Sequence, residues 1–321
     1  MRRAFLLGTA GLLVQRTALA QPRSGPDQIR MIIPFAAGGP IDTIARMIAP
    51  KLGAELNATI IVDNRPSGNG VVAGQAVANG AHDGSILLYA AGSNLTIAPN
   101  LDPNLPYDVR TAFAPVTLVV VNGSGVAING KIPANTVPEL VAWTKQRGGP
   151  LRMASNGIGS IAHAWLELFR ASTKMDILHV PYRGAGPAIT AAISGEVDAL
   201  FSDLLVQIPH VESGALKTIG LVGERRHPSR PDLPTIAEQG YPGVYGLSWS
   251  GIVAPGGTPP AITARYAETI ARVLQDPAIS ARLNGFAAAP SPTTPAEFAK
   301  LIESDLAFWA NTVRTYNIKA E

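Results

Sequence analysis

Gly38 and Gly39, followed by Pro40, stand between an apolar run ending at Phe35 and a helical pattern beginning at Ile41, and this order of residue types is suited to holding an anion. Proline fits the first helical position, where its missing N–H costs nothing, and glycines without β-carbons let a ligand approach the backbone. The N–H groups of Phe35, Ala36, Ala37, Gly38 and Gly39 then gather at a helix N-terminus, where negative charge is favoured. Asp42 in the first helical turn either supports this loop by accepting its N–H groups or serves as a functional acid. The simpler alternative for the same residues is a tight turn packed beneath another element.

Two other stretches repeat the pattern. Asn156, Gly157, Gly159 and Ser160 lie between the strand pattern of residues 151–155 and the helical pattern that starts at Ile161, which suggests a second nest of donors. Ser93 and Asn94, after the third strand, add a hydroxyl and an amide. One turn into the helix that follows the second nest, His163 is read as a hydrogen-bonded residue shaping that loop or as a ligand contact. Arg183 and Asp203 each follow a strand. Arg183 suits a carboxylate, whereas Asp203 either caps the helix starting at Leu204 or meets a ligand ammonium. Phe35, Tyr182 and Trp249 are candidate apolar walls.

Catalytic patterns are weak by comparison. Gly68-x-Gly70-x-x-Ala73 and Gly157-x-Gly159-x-x-Ala162 match the dinucleotide fingerprint in outline, but no acidic residue ends the strand that follows either of them. The chain has no G-x-S-x-G elbow and no cysteine, and its five histidines are scattered. His163 and Glu167 lie four apart on a helix without a third metal ligand. Neither a cofactor nor a metal is expected, and the catalytic set is empty.

The elements that must position these loops alternate. Strands at 29–35, 59–63 and 85–90 are separated by helical patterns, and after a β-rich run at 115–129 the alternation resumes. A further strand at 245–254 returns the chain to its first half, and helices complete it. With 46% hydrophobic and 15% charged residues, 321 residues suffice for two packed domains. We assign residues 27–121 plus 249–321 to one and 122–248 to the other. Two α/β domains, each a mainly parallel sheet flanked by helices and joined by two crossover strands, form a clamshell able to close on a ligand.

Arg2 and Arg3, the apolar run 4–14 and Ala18-Leu19-Ala20 read as an export signal cleaved after Ala20, of the general or the twin-arginine type. Its removal takes three arginines and no acid, which leaves as many basic as acidic residues. Nucleic-acid binding is not expected from that balance.

Read together, Pro34 to Asp42, Asp63-Asn64-Arg65-Pro66, Leu105-Pro106-Tyr107-Asp108, Phe113-Ala114-Pro115-Val116, His179 to Gly184, Pro234 to Glu238 and Ala254 to Pro260 resemble, in order, the motifs of the solute-binding receptors of tripartite tricarboxylate transporters, the Bug family. The resemblance implies a periplasmic-binding-protein fold of type II. It also implies a small carboxylate held between the domains by N–H groups, hydroxyls and waters, at Phe35 to Gly39, Ser93, Asn94 and Asn156 to Ser160. The chain departs from the family at Ala98-Pro99, where Asn-Pro is common, and at Arg183, where Lys is frequent. The leading expectation is a monomeric, non-enzymatic periplasmic receptor that takes a small organic acid or amino acid to membrane transporter subunits. The alternatives are an oxidoreductase or other enzyme built on the glycine loops, and an orphan ligand sensor.

Overall fold

A computed structural model describes residues 25–67, 70–228, 230–316 and 318–319. The export segment read at 1–20, and Gly68 of the first glycine fingerprint, lie outside the described residues.

Strand β1 (Gln28–Ile33) alternates exposed and buried positions before becoming fully buried, and α1 (Pro40–Leu56) follows the loop. Its stripe of Ile41, Ile44, Ala45, Ile48 and Leu52 is buried, as its spacing of three and four requires. The helix stops at Asn57, which adopts the left-handed conformation and donates back to the last turn. Next come β2 (Thr59–Asn64), α2 (Val71–Ala78) and β3 (Ile86–Ala91). A π-helical turn (Ser93–Ile97) leads into the short helices α3 (Ala98–Leu101) and α4 (Val109–Ala112).

The long β-rich run divides at Gly123 into two strands. β4 (Phe113–Asn122) belongs to the first sheet, and β5 (Ser124–Asn129) to a second. The second half then runs α5 (Val137–Arg147), β6 (Leu151–Ser155), α6 (Ile161–Thr173), β7 (Ile177–Pro181), α7 (Ala185–Ser194), β8 (Ala199–Asp203), α8 (Leu204–Glu212) and β9 (Leu216–Leu221). The chain returns through β10 (Ser248–Pro255) and ends in α9 (Pro260–Leu274), α10 (Pro277–Gly285), β11 (Ala288–Pro290) and α11 (Pro295–Thr315). Helix α11 opens with a capping box, in which Thr294 and Glu297 satisfy each other's N–H groups.

The first sheet has the order β11-β4-β10-β3-β1-β2 and the second β7-β6-β8-β5-β9. In the first, β1, β2, β3 and β4 run one way while β10 and β11 oppose them; in the second only β5 runs against the rest. Helices cover both sheets. Ile44, Ile48 and Ile270 pack beneath the first sheet and Phe298 with Ile302 against its other side. Trp165, Phe169 and Phe201 centre the second core.

The registers decide how the sheets meet. Asn122, at the carboxyl end of β4, pairs with Ser248, and after Gly123 the first residue of β5, Ser124, pairs with Asp203 at the carboxyl end of β8. The crossing thus joins the carboxyl ends of both sets of parallel strands, which is where open α/β sheets bind ligands. Gly123 touches both halves, donating to Ala287 O (2.7 Å) and accepting from Leu204 N (2.8 Å). A small apolar cluster of Ile97, Ala164, Trp309 and Ile318 ties α6 to the C-terminal helix.

Candidate functional site

The first loop is held from behind by a chain of polar contacts. The buried carboxylate of Asp42 accepts from Gly38 N (2.9 Å) and from Arg46 Nε (3.0 Å). Arg46 continues to Asn64 Oδ1 (2.9 Å), and Asn64 Nδ2 donates to Phe35 O (3.1 Å). Burial alone would raise the pKa of Asp42, but the bonds from Arg46, Gly38 and Asn64 outweigh it and hold the group below its ordinary value. Asp42 therefore supports the loop as an anion. Gly38 has φ +83°, a conformation that favours glycine, whereas Gly39 is extended at φ −75°. Among the described residues nothing accepts from the N–H groups of Ala36 and Ala37, which are exposed, while the chain turns at 37–38 so that Gly39 N–H approaches Ala36 O.

The second loop differs from a simple nest, because its glycine N–H groups already have acceptors. Gly157 N donates to Ser155 Oγ (3.2 Å) and Gly159 N to His163 Nδ1 (3.2 Å). Ser160 Oγ caps α6 by accepting from His163 N (3.2 Å) and donates to Gly157 O (2.6 Å). The part-buried Ile158 and Ile161 have N–H groups with no acceptor among the described residues, at the start of a thirteen-residue helix, whereas Ala162 behind them is fully buried. Asn156 accepts at its backbone from Gly184 N (3.2 Å), and its Oδ1 is buried without a hydrogen-bond partner.

Around these loops the remaining residues divide. The half-buried Ser93 hydroxyl has no partner among the described residues. Asn94 is buried, and its Oδ1 accepts from Ala91 N (3.0 Å), so it braces the third loop. Arg183 forms no ion pair among the described residues and lies directly after β7, beside the second loop. Asp203 occupies the position before α8, yet its carboxylate makes no capping bond there. Instead Oδ1 accepts from Ser124 Oγ (2.6 Å) and Ser248 Oγ (2.8 Å), one hydroxyl from the start of each strand at the crossing. Burial raises its pKa despite these bonds, and no arginine or lysine pairs with it among the described residues. Of the candidate apolar walls, Phe35 is half-buried against the first core, Trp249 is wholly buried under Gly92, and Tyr182 donates its hydroxyl outward to Glu196 (2.7 Å).

Sequence reasoning missed Ser155, His179, Asn64 and Asp305. Asn64 and His179 stood inside the quoted motifs, but their partners are far along the chain, and no local spacing signals a contact such as His179 Nε2 to Ser155 Oγ (2.6 Å). Among the described residues no group of three or more acidic or histidine side chains could hold a metal.

Two α/β lobes joined at the carboxyl ends of their strands, each presenting a helix-start loop, define the class of two-lobed solute-binding proteins. The model of the tripartite tricarboxylate transporter family receptor matches residues 44–318, and the chain belongs to that family. The protein BugT of Bordetella pertussis is 32% identical over 324 residues, covering 99% of both chains. Among solved structures, Rpa4515 of R. palustris with adipate superposes with a TM-score of 0.87 at 28% identity, covering 91% of this chain and 98% of its own. MatC of Rhodopseudomonas palustris with bound malate gives 0.82 at 29% identity, covering 89% and 98%. Receptors of this family are periplasmic substrate-binding proteins rather than enzymes. No helix among the described residues is long and apolar enough to cross a membrane.

Proposed function

We propose that this protein captures a small carboxylate-bearing ligand between its two lobes in the periplasm, without chemical change, and delivers it as a monomer to membrane transporter subunits. The observation that carries this reading is the pair of braced loops, one per sheet, both at the carboxyl ends of parallel strands and both with unclaimed N–H groups. Relatives of the same fold with adipate and malate bound support it. In this reading residues 27–121 with 249–321 form one lobe and 122–248 the other, and residues 1–20 direct export and are removed.

The ligand carboxylate meets the N–H groups at Ala36 and Ala37 from one side. From the other it meets the start of α6 at Asn156 to Ser160, with the Ser93 hydroxyl beside it. Arg183 serves a second carboxylate. A thermal-shift panel of dicarboxylates, tricarboxylates and amino acids tests the whole reading. A ligand at about a hundred times its Kd stabilises by about 2.7 kcal/mol, whereas silence across every carboxylate would count against it.

Asp203 is proposed as the group that reads a donor on the ligand. Its Oδ1 is occupied by the two crossing serines, and no cation balances it among the described residues. Asp203→Asn keeps an oxygen for the serine hydroxyls while removing the charge. It is expected to weaken amino-acid ligands by about tenfold and to leave plain diacids within about twofold. Equal effects on both ligand types in calorimetry would remove Asp203 from recognition.

A further inference from the structure

The second loop rests on two imidazoles whose nitrogens are committed to it. His163 Nδ1 accepts from Gly159 N–H (3.2 Å), so this nitrogen carries no proton and neutral His163 holds its proton on Nε2. Nε2 faces Glu167 at 3.7 Å, and that carboxylate is paired with Arg170. His179, on β7, stacks on His163 with ring centres 4.4 Å apart and planes 14° apart. Its Nε2 lies 2.6 Å from Ser155 Oγ at the end of β6, and the same oxygen accepts from Gly157 N–H. The groups facing the pair are Glu167 and Arg170 from α6, the Ser155 hydroxyl from β6, and each imidazole for the other.

We propose that Ser155, His163 and His179 are positioning residues for ligand capture, that they hold Gly157 and Gly159 so that the unclaimed N–H groups of the loop meet the ligand, and that acid releases the loop by protonating His163 Nδ1. This rests on the reading that residues 156–160 receive a ligand carboxylate. With Nδ1 protonated, two donors confront each other and Gly159 must turn away. A second proton on His179 adds a stacked cation near Arg170. Burial, then the charge of Arg170, lowers His163 to about 4; burial, then His163 and Arg170, lowers His179 to about 4. Because both values are depressed, the stabilisation from the neutral pair is present above the ordinary histidine value of about 6.5 and is lost as pH falls toward about 4. In the folded chain the imidazoles take up their protons only near the lower end of that interval, so loop order and affinity are expected to decline together as pH approaches about 4.

Nitrogen-15 NMR of the whole mature chain tests the positioning without any ligand. His163 should be the Nε2–H tautomer, and the Gly157 and Gly159 amide shifts should follow the imidazole titration, a coupling that His163→Gln abolishes. Amide shifts indifferent to that titration overturn the proposal. Calorimetry with malate at about pH 7 and about pH 4 then compares wild type with His163→Gln, so that the ionisation of malate cancels. Wild type is expected to lose at least about threefold more affinity than the variant, and equal losses overturn the acid release. Should His163→Gln fold poorly, His179→Phe keeps a stacked ring without a titrating nitrogen and should lessen the acid loss while leaving the part due to His163; an unaltered profile refutes the role of His179. Failure of malate and every other carboxylate to bind at about pH 7 would instead sink the receptor reading, with the amide titration still deciding the positioning role.

Discussion

Gly39→Val is expected to weaken the binding of the carboxylate ligand proposed above by about a hundredfold or more, while the melting temperature of the unliganded protein moves by less than about 2 °C. Gly39 sits at φ −75° and ψ 172°, extended backbone that a β-branched residue adopts readily. A β-carbon built there meets only Ala36 O, at 3.5 Å, an ordinary contact. The fold thus accepts the side chain, and in the proposed site the isopropyl group would take up space beside Ala36 that the ligand carboxylate needs. About a hundredfold is about 2.7 kcal/mol, which matches the loss of one or two charge-assisted hydrogen bonds. Gly38→Ala is the contrasting case: φ +83° strains any side chain by about 1–2 kcal/mol, so binding and stability should fall together. Calorimetry and thermal melts on both variants separate occlusion from distortion. Undiminished carboxylate binding by Gly39→Val would mean that the anion does not sit on this loop.

The legible part of the fold was whatever repeats along the chain. The stripe on α1, the strand alternation and the turn glycines announce their elements through local periodicity, and the capping box at Thr294 and Glu297 appears as read. The illegible part depends on pairing between distant residues. The flexible residues around Gly123 mark, within 115–129, where the chain passes from one domain to the other, but nothing local says which strands each half pairs with. The registers Asn122 with Ser248 and Ser124 with Asp203 supply those partners.

The site divides in the same way. Loop positions were readable because glycine and proline report backbone geometry directly, and Asp42 lies within one turn of the N–H that it accepts. The use of individual donors was not readable. Gly157 and Gly159 looked like ligand donors until Ser155 and His163 were seen to accept from them. Asp203 was open to two readings, a cap for α8 or an acid facing the ligand, and the capping bond is absent because two serines from the strands at the crossing engage its Oδ1. Burial makes those bonds matter, since a desolvated hydroxyl left without an acceptor costs about 1–3 kcal/mol.

The same reasoning gives the largest expected loss of stability, at Asp305. This buried residue of α11 stands where the third loop, the returning strand and the C-terminal helix meet. Trp249 Nε1 donates to Oδ2 (3.0 Å), and Thr96 Oγ1 lies 2.7 Å from the same oxygen and 2.8 Å from Gly92 O. One hydroxyl hydrogen serves only one acceptor, so a neutral Asp305 donating to Thr96 makes all three contacts hydrogen bonds. Burial, opposed by Thr96, Trp249 and Trp309, raises its pKa and so favours that neutral form. Asp305→Ala orphans the Trp249 N–H and loosens Thr96, and it is expected to cost about 3 kcal/mol by denaturant unfolding. Asp305→Asn keeps a polar, uncharged partner and should cost less than about half of that. The pH dependence has a definite sign. A raised folded pKa gives stability that is complete below the unfolded value of about 3.9 and is lost as pH rises through the folded value. The wild type should therefore lose stability relative to Asp305→Asn as pH climbs from about 4 toward neutrality. A difference that stays constant over that range would show Asp305 to be ionised throughout. Because Thr96 belongs to the turn that begins at Ser93, the alanine variant should also weaken carboxylate binding in proportion to the disorder it admits to the third loop.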